Sequence, residues 1–169
     1  AGDGHFVRDP QGIDQMAMLV ASLKDNPASR RHIFTGWNVA ELDAMALPPC
    51  HMTYQFPVPS DGGLSCNLFQ RSCDVALGLP FNLFAAALLT AMLAQQTGLT
   101  PRELIWSGGD VHLYQNHAEL VAEQLPRTPH GDPRLELRRT PPSLFDYSID
   151  DFFVRDYAPQ EHIRAPVAV

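Results

Sequence analysis

Three short segments of the sequence carry side chains suited to covalent and nucleotide chemistry. The first is residues 48–51, in which Cys50 follows two prolines and precedes His51. A cysteine on a constrained turn can act as a nucleophile if its thiolate is stabilised. A buried, inert thiol is the commoner fate of an unpaired cysteine. A buried, inert thiol is favoured for Cys66, which lies in the middle of an expected strand. For Cys73 the pattern does not distinguish an inert thiol from a nucleophile.

The second segment, residues 70–74, reads Gln-Arg-Ser-Cys-Asp and is followed by Gly-Leu-Pro-Phe-Asn at 78–82. Arg71 offers paired planar donors and Ser72 adds a hydroxyl, a combination suited to holding a phosphate. From these two residues alone, a surface arginine and a turn serine are the more frequent explanation.

The third segment is residues 107–114. Gly108 and Gly109 allow another group to approach the backbone closely. His112 and Tyr114 alternate, so an extended segment places them on one face, where they can hold a sugar hydroxyl. The alternative is a loop with a hydrogen-bonded histidine and a core tyrosine.

Composition limits the classes of function. The 169 residues suit one domain, 45% of them are hydrophobic, and the net charge of −7 argues against a basic nucleic-acid surface. Three cysteines without a two-residue spacing argue against a disulfide framework and favour a reducing compartment, so we expect a cytoplasmic protein. A zinc site built from the cysteines and His51 is disfavoured by irregular spacing, and no metal is expected.

The hydrophobic pattern predicts an α+β fold. The apolar stretch 79–94 is interrupted by Pro80, Asn82 and Thr90 and reads as too short to span a bilayer, so we expect a buried helix. The expected elements are a helix at 13–24, a strand at 32–39, a turn or helix at 41–47, a hairpin of strands 51–58 and 64–71, a helix at 80–96 ended by Gly98, a helix start at 100–103, an amphipathic helix at 113–125, and strands at 134–139 and 152–157.

Taken in order, these segments resemble the thymidylate synthase family along nearly the whole chain. So many ordered matches do not arise by chance. The runs that carry the resemblance are Ser29-Arg30-Arg31, Trp37-Asn38, Met45-Ala46-Leu47, Pro49-Cys50-His51, residues 70–74, 77–82, 108–110 and 112–114, and the ending at 165–169.

The resemblance implies a mixed, largely antiparallel sheet with packed helices and a homodimer formed sheet to sheet. It also implies one catalytic domain over residues 1–169 that lacks an amino-terminal segment. In the family that segment supplies a phosphate-binding arginine, a catalytic glutamate and a tryptophan of the folate pocket. Because the sequence does not begin with Met, we expect it to be the inner part of a longer chain.

The implied reaction is the reductive methylation of dUMP to dTMP by 5,10-methylenetetrahydrofolate, without a metal. The Cys50 thiolate adds to C6 of uracil, and Arg71 favours the thiolate and binds phosphate. His51 acts near O4 through water. Cys73 and Asp74 lie among the substrate residues, and Asp74 also contacts the pterin.

The remaining residues take binding roles by the same resemblance. Asn82 reads the pyrimidine edge, because its amide accepts from N3–H and donates to O4. Ser72 binds the phosphate, and Arg30 and Arg31 bind the phosphate in the partner's site. His112 and Tyr114 bind the 3′-hydroxyl. Leu77, Gly78 and Phe81 form the folate-side wall, and Ala168 and Val169 close the site.

Two alternatives remain. The first is a pyrimidine hydroxymethylase of the same family, which adds water where a thymidylate synthase transfers hydride. Hydroxymethylases that act on cytosine are expected to carry Asp in place of Asn82, so Asn82 argues against this alternative. A non-catalytic nucleotide-binding fragment is the alternative from another class.

Overall fold

The protein is described here by a computed structural model covering residues 12–167. The roles expected for Ala168 and Val169 lie outside the described residues. The helices are α1 (Gln15–Asp25), α2 (Gly78–Thr97) and α3 (Ala118–Gln124), and the strands are β1 (Ile33–Thr35), β2 (His51–Gln55), β3 (Gly63–Asp74), β4 (Thr100–His112), β5 (Arg134–Leu137) and β6 (Phe152–Arg155).

The main sheet has four strands in the order β1-β2-β3-β4. The first two pairs are antiparallel, and β3 and β4 run parallel, joined by α2. Strands β5 and β6 form a separate antiparallel pair. The predicted α+β class and the mixed sheet are therefore confirmed, although the longest ladder of the main sheet, between β3 and β4, is parallel.

The predicted helix start at residues 100–103 was wrong, because these residues open the long strand β4. The Thr-Pro-Arg-Glu pattern resembles a capped helix locally, but pairing with β3 from Thr100 to His112 determines the structure. Pro101 is tolerated because it lies near the start of a strand at the edge of the sheet.

Helix α1 forms where it was predicted. The Asp14 side chain accepts a hydrogen bond from the Ala17 amide at 3.0 Å and caps its first turn. Leu19 and Leu23, four residues apart, are its buried positions and pack into the core. The helix ends at Asn26, before Pro27.

Helix α2 begins two residues before the predicted span and ends at Gly98, whose φ of 71° suits glycine. With 20 residues it is long and apolar enough to cross a membrane by length and composition, so the judgement that this stretch is too short was wrong. The helix packs against β3, β4 and α1, but only 22% of its apolar window is buried, so the expectation of a buried helix was wrong for most of its residues.

Other boundaries differ from the prediction. The strand expected at 32–39 is only three residues long, and the turn or helix at 41–47 is a 3-10 helix at Val39–Ala44, capped by Asn38. The expected helix at 113–125 is split, because extended backbone at Tyr114 precedes a 3-10 turn and then α3.

The two faces of the sheet differ in burial. One face packs against α1 and α2 around Phe56, Leu64, Leu68 and Leu93. The opposite face leaves four large apolar side chains exposed among the described residues of the sheet, at 44% for Phe69, 47% for Ile33 and Ile105, and 48% for Val111. The carboxyl ends of β3 and β4 and the first turn of α2 meet at one edge, and this edge positions the candidate site.

Candidate active site

The loop that carries Cys50 is fastened to β3 by Arg71. The Arg71 guanidinium donates from Nη2 to the Pro48 carbonyl at 2.7 Å and from Nε to the Pro49 carbonyl at 3.1 Å. The Arg71 amide also donates to the Cys50 carbonyl at 2.9 Å. The structure therefore brings Cys50 and Arg71 together, as the sequence predicted, and explains how a loop residue is held in place.

Trp37 supports the same arginine, with the guanidinium carbon 5.5 Å from the ring centroid. A cation over an aromatic face is stabilised by the ring's electron distribution. The sequence marked Trp37 only as part of a matching run, since nothing local links it to Arg71. A guanidinium has five N–H donors, and the Pro48 and Pro49 carbonyls occupy two, which leaves donors for an anionic ligand.

The three cysteines differ in accessibility. Cys50 is half-buried, whereas Cys66 and Cys73 are buried. Burial raises the pKa of the Cys66 thiol to about 11, although a hydrogen bond with Thr90 lowers it. Burial also raises the pKa of Cys73, and the charges of Asp74 and Cys50 add to that effect. Since the thiolate is the nucleophile, Cys66 and Cys73 are poor candidates and Cys50 is the accessible one.

His51 is the first residue of β2 and pairs with Gln70 of β3. Its ring lies edge-on to Tyr54, with centroids 6.2 Å apart. The Nε2 atom is buried and has no hydrogen-bond partner within residues 12–167. A buried polar atom of this kind is usually satisfied by ordered water or a ligand.

A chain of hydrogen bonds through the buried Gln70 connects the half-buried Asn82 to the sheet. Gln70 Nε2 donates to Asn82 Oδ1 at 2.8 Å and to the Ser72 carbonyl at 2.9 Å, and Trp106 Nε1 donates to Gln70 Oε1 at 2.9 Å. Sequence reasoning assigned no role to Gln70, although it opens the Gln-Arg-Ser-Cys-Asp segment. Trp106 is 36 residues away, and only the β3–β4 pairing brings it close.

Asp74, Gly78 and Asn82 form a contiguous group where β3 leads into α2. Asp74 Oδ1 accepts from the Ala76 amide at 3.0 Å and fixes the turn. A Cβ atom at Gly78 would lie 3.5 Å from Asp74 Cβ and 3.6 Å from Asn82 Oδ1, so the glycine borders both side chains. The structure brings these three predicted residues together.

His117 lies behind Asp74 and was not predicted as part of the site. Its side chain is fully buried, with Nδ1 3.9 Å from Asp74 Oδ1 and Nε2 2.7 Å from the Pro166 carbonyl. It thus links the site to the end of the described chain. Because the contact with Pro166 joins residues 49 positions apart, no local pattern predicts it.

His112 and Tyr114 lie together, as their alternation predicted. Their rings meet edge-on with centroids 5.1 Å apart, and Tyr114 makes a similar contact with His117 at 5.8 Å. His112 Nδ1 is 3.2 Å from Asp110 Oδ1, and His112 pairs with Asp74 across the two strands. A histidine held through Nδ1 offers Nε2 to a hydroxyl group.

Other predicted residues are less enclosed. Arg30 and Arg31 are exposed in the connection between α1 and β1, and neither guanidinium forms an ion pair within residues 12–167. Phe81 is 74% exposed, and Leu77 and Ser72 are half-buried at the edge of the group. In the described part of the chain, no cluster of three or more potential metal ligands was found.

Comparison with known proteins identifies the family. The family model described as Thymidylate synthase matches residues 4–169. The chain belongs to the thymidylate synthase family. It is 68% identical over all 169 residues to the thymidylate synthase of Sphingopyxis alaskensis and 63% identical over 168 residues to that of Novosphingobium aromaticivorans.

A thymidylate synthase of Zymomonas mobilis is 58% identical over 161 residues, or 95% of the chain. The chain spans about half the length of the curated thymidylate synthases it matches, with 54%, 53% and 54% covered in these three. The family resemblance seen in the sequence is thus confirmed, while the roles assigned to single residues stay predictions.

Proposed function

We propose that this protein acts as a thymidylate synthase, converting dUMP to dTMP with 5,10-methylenetetrahydrofolate as methylene and hydride donor. The observation that carries the proposal is the accessible Cys50, on a loop held by Arg71, next to an edge that gathers Asp74, Asn82 and His112. Membership of the family supports it. We place the protein in the cytoplasm, where its thiols stay reduced.

The chemistry begins with Cys50. Its thiolate adds to C6 of uracil, and the electron pair of the C5–C6 bond is delocalised through C5 onto O4. C5 then attacks the methylene carbon of the folate. Loss of the C5 proton and elimination of the folate give an exocyclic methylene, which accepts hydride from the folate as Cys50 leaves. The products are dTMP and dihydrofolate. Arg71 holds the loop that presents Cys50, through its bonds to the Pro48 and Pro49 carbonyls.

Recognition of dUMP is assigned to three groups of side chains. Arg71 and Ser72 bind the phosphate, using guanidinium donors that the two proline carbonyls leave available. Asn82 reads the pyrimidine edge. His112 and Tyr114, whose rings are in contact, hold the 3′-hydroxyl.

The folate is assigned to the outer side of the same group. Asp74 contacts the pterin, while Leu77, Gly78 and the exposed Phe81 offer an apolar wall to its rings. His51 acts near O4 through a water that its unpartnered Nε2 would bind. By resemblance, Ala168 and Val169 close the site.

The proposal includes a homodimer. The exposed Ile33, Phe69 and Ile105 on the open face of the sheet favour burial against a second sheet. Arg30 and Arg31, exposed and without an ion pair among the described residues, are available to bind the phosphate in the partner's site. A shared active site follows from this arrangement.

The test is formation of a covalent adduct with 5-fluoro-dUMP and the folate, detected as added mass on the denatured protein. Wild-type protein and the control Cys66→Ser should both form the adduct, and Cys50→Ser should not. An adduct that survives Cys50→Ser would refute the assignment. Wild-type protein that forms no adduct would favour the non-catalytic alternative. Release of a 5-hydroxymethyl product when dUMP replaces the fluorinated analogue would favour the hydroxymethylase.

A further inference from the structure

The buried Gln70 amide sits between two groups that each permit only one kind of hydrogen bond. On one side the Trp106 indole N–H can only donate, and on the other the Ser72 carbonyl can only accept. Gln70 must therefore direct its oxygen to Trp106 and its amino group to Ser72. Because Gln70 is 1% exposed, water is poorly placed to compensate for the reversed amide.

This polarity is passed on to Asn82. The Gln70 amino group also lies 2.8 Å from Asn82 Oδ1, so Asn82 must direct its oxygen toward Gln70. Rotating the Asn82 amide by 180° would oppose two amino groups and lose that bond. Asn82 thus has one favoured orientation, in which its amino group is left for a ligand.

We propose that Trp106 is a positioning residue that sets base specificity, because through Gln70 it holds the Asn82 amide in the orientation that selects uracil over cytosine. Uracil presents an accepting O4 and cytosine a donating amine, so an amino group held toward this position favours uracil. The inference deepens the proposed function and rests on it, since Asn82 must contact the base.

The test measures equilibrium binding of dUMP, dCMP and base-free deoxyribose 5-phosphate, using the protein in the full length in which the cell makes it. Trp106→Phe keeps an aromatic ring but removes the donor. Gln70→Met keeps a similar length but removes the whole link. Thr90→Val is the matched control, because it removes a buried hydrogen bond, to the Ala86 carbonyl at 2.7 Å, outside this chain of contacts.

Trp106→Phe should lower the preference for dUMP over dCMP by about threefold to tenfold, since one neutral hydrogen bond is lost. The effect stays partial because the Ser72 carbonyl still orients Gln70. Gln70→Met should lower the preference by about tenfold or more. In both variants dCMP should bind more tightly than to wild type, because a rotated Asn82 can meet the amine. Deoxyribose 5-phosphate should bind as before, and Thr90→Val should keep the wild-type preference.

The outcomes separate the two proposals. Wild-type protein that binds neither nucleotide would overturn the proposed function and this inference with it. Wild-type protein that prefers dUMP, with the same preference in both variants, would overturn the inference alone. So would a parallel loss of affinity for all three ligands, which indicates a structural role. Thermal melting shows which variants fold, and if one does not, the other decides.

Discussion

Arg71→Lys tests whether the guanidinium is what holds the nucleophile loop. Lysine keeps the positive charge but has no planar fork, so it cannot bridge the Pro48 and Pro49 carbonyls as Nη2 and Nε do at 2.7 and 3.1 Å. Its ammonium also replaces the guanidinium whose central carbon lies 5.5 Å from the Trp37 ring centroid. The loop that ends at Cys50 would then keep the backbone bond between the residue 71 amide and the Cys50 carbonyl, and at most one side-chain bond to the proline carbonyls.

The magnitude follows from these contacts. Loss of one hydrogen bond from a charged donor should lower the free energy of unfolding by about 1 to 2 kcal/mol, which lowers Tm by a few degrees. The chemical effect should be larger, because a displacement of about 1 Å at a reacting group can lower a rate about a hundredfold. We therefore expect adduct formation with 5-fluoro-dUMP to slow by about a hundredfold at saturating nucleotide.

Stopped-time mass spectrometry of the adduct measures the rate, and Arg102→Lys is the matched control. Arg102 pairs with Asp61 at 2.7 Å on an exposed surface, where such pairs contribute about 0 to 1 kcal/mol. The control should keep the wild-type rate. A wild-type rate in Arg71→Lys, or an equal loss in both variants, would show that the guanidinium contacts do not position the thiol.

Four further predictions follow. Asn82→Asp should shift binding toward dCMP, because the donor to O4 is lost, and an unchanged ratio of the two affinities would contradict the role in reading the base. Mixing Arg31→Ala with Cys50→Ser protein should restore some activity through hybrid dimers, and no rescue after verified subunit exchange would mean that the arginine serves its own chain. The 169 residues span about half the length of the curated relatives, so on their own they should bind dUMP weakly but release little tritium from its C5-labelled form; full activity of an 18.7 kDa species would refute this. Burial raises the pKa of Cys66 to about 11 and of Tyr54 to about 12. As the pH rises, the unfolded chain loses these protons before the folded protein does, which favours the unfolded state. The free energy of unfolding should therefore fall by about 1 to 3 kcal/mol between pH 8 and 10.5. Urea unfolding at pH 8 and pH 10.5 measures this fall in the free energy of unfolding. The Cys66→Ala variant should show a smaller fall. Equal stability of the wild-type protein at the two pH values would contradict the prediction.

Features governed by neighbouring residues were predictable from the sequence. The spacing of Leu19 and Leu23 predicted α1, and Gly98 marked the end of α2. The alternation of His112 and Tyr114 predicted their contact, because residues two apart in extended backbone share a face. The setting of Cys50 after two prolines raised the hypothesis of a nucleophile, and that role stays a prediction.

Features governed by distant pairing were not predictable. Residues 100–103 carry a local helix signal, and only the parallel ladder with β3 makes them a strand. The link from Trp106 through Gln70 to Asn82 spans 36 and then 12 residues, and no local pattern encodes it. The same holds for Trp37 beside Arg71, because loop packing places them together.

The parallel alignment of β3 and β4 also separates two ends of the molecule. Eleven residue steps lie between Gly63 and Asp74, which is about 35 Å of extended chain. The turn at residues 59–62 therefore lies far from the edge that holds Asp74 and His112, and it is tied down there by the exposed pair of Asp61 and Arg102. A fluorophore or affinity tag inserted in that turn would report on the protein from a distance, which makes it a suitable attachment point for single-molecule work on ligand binding.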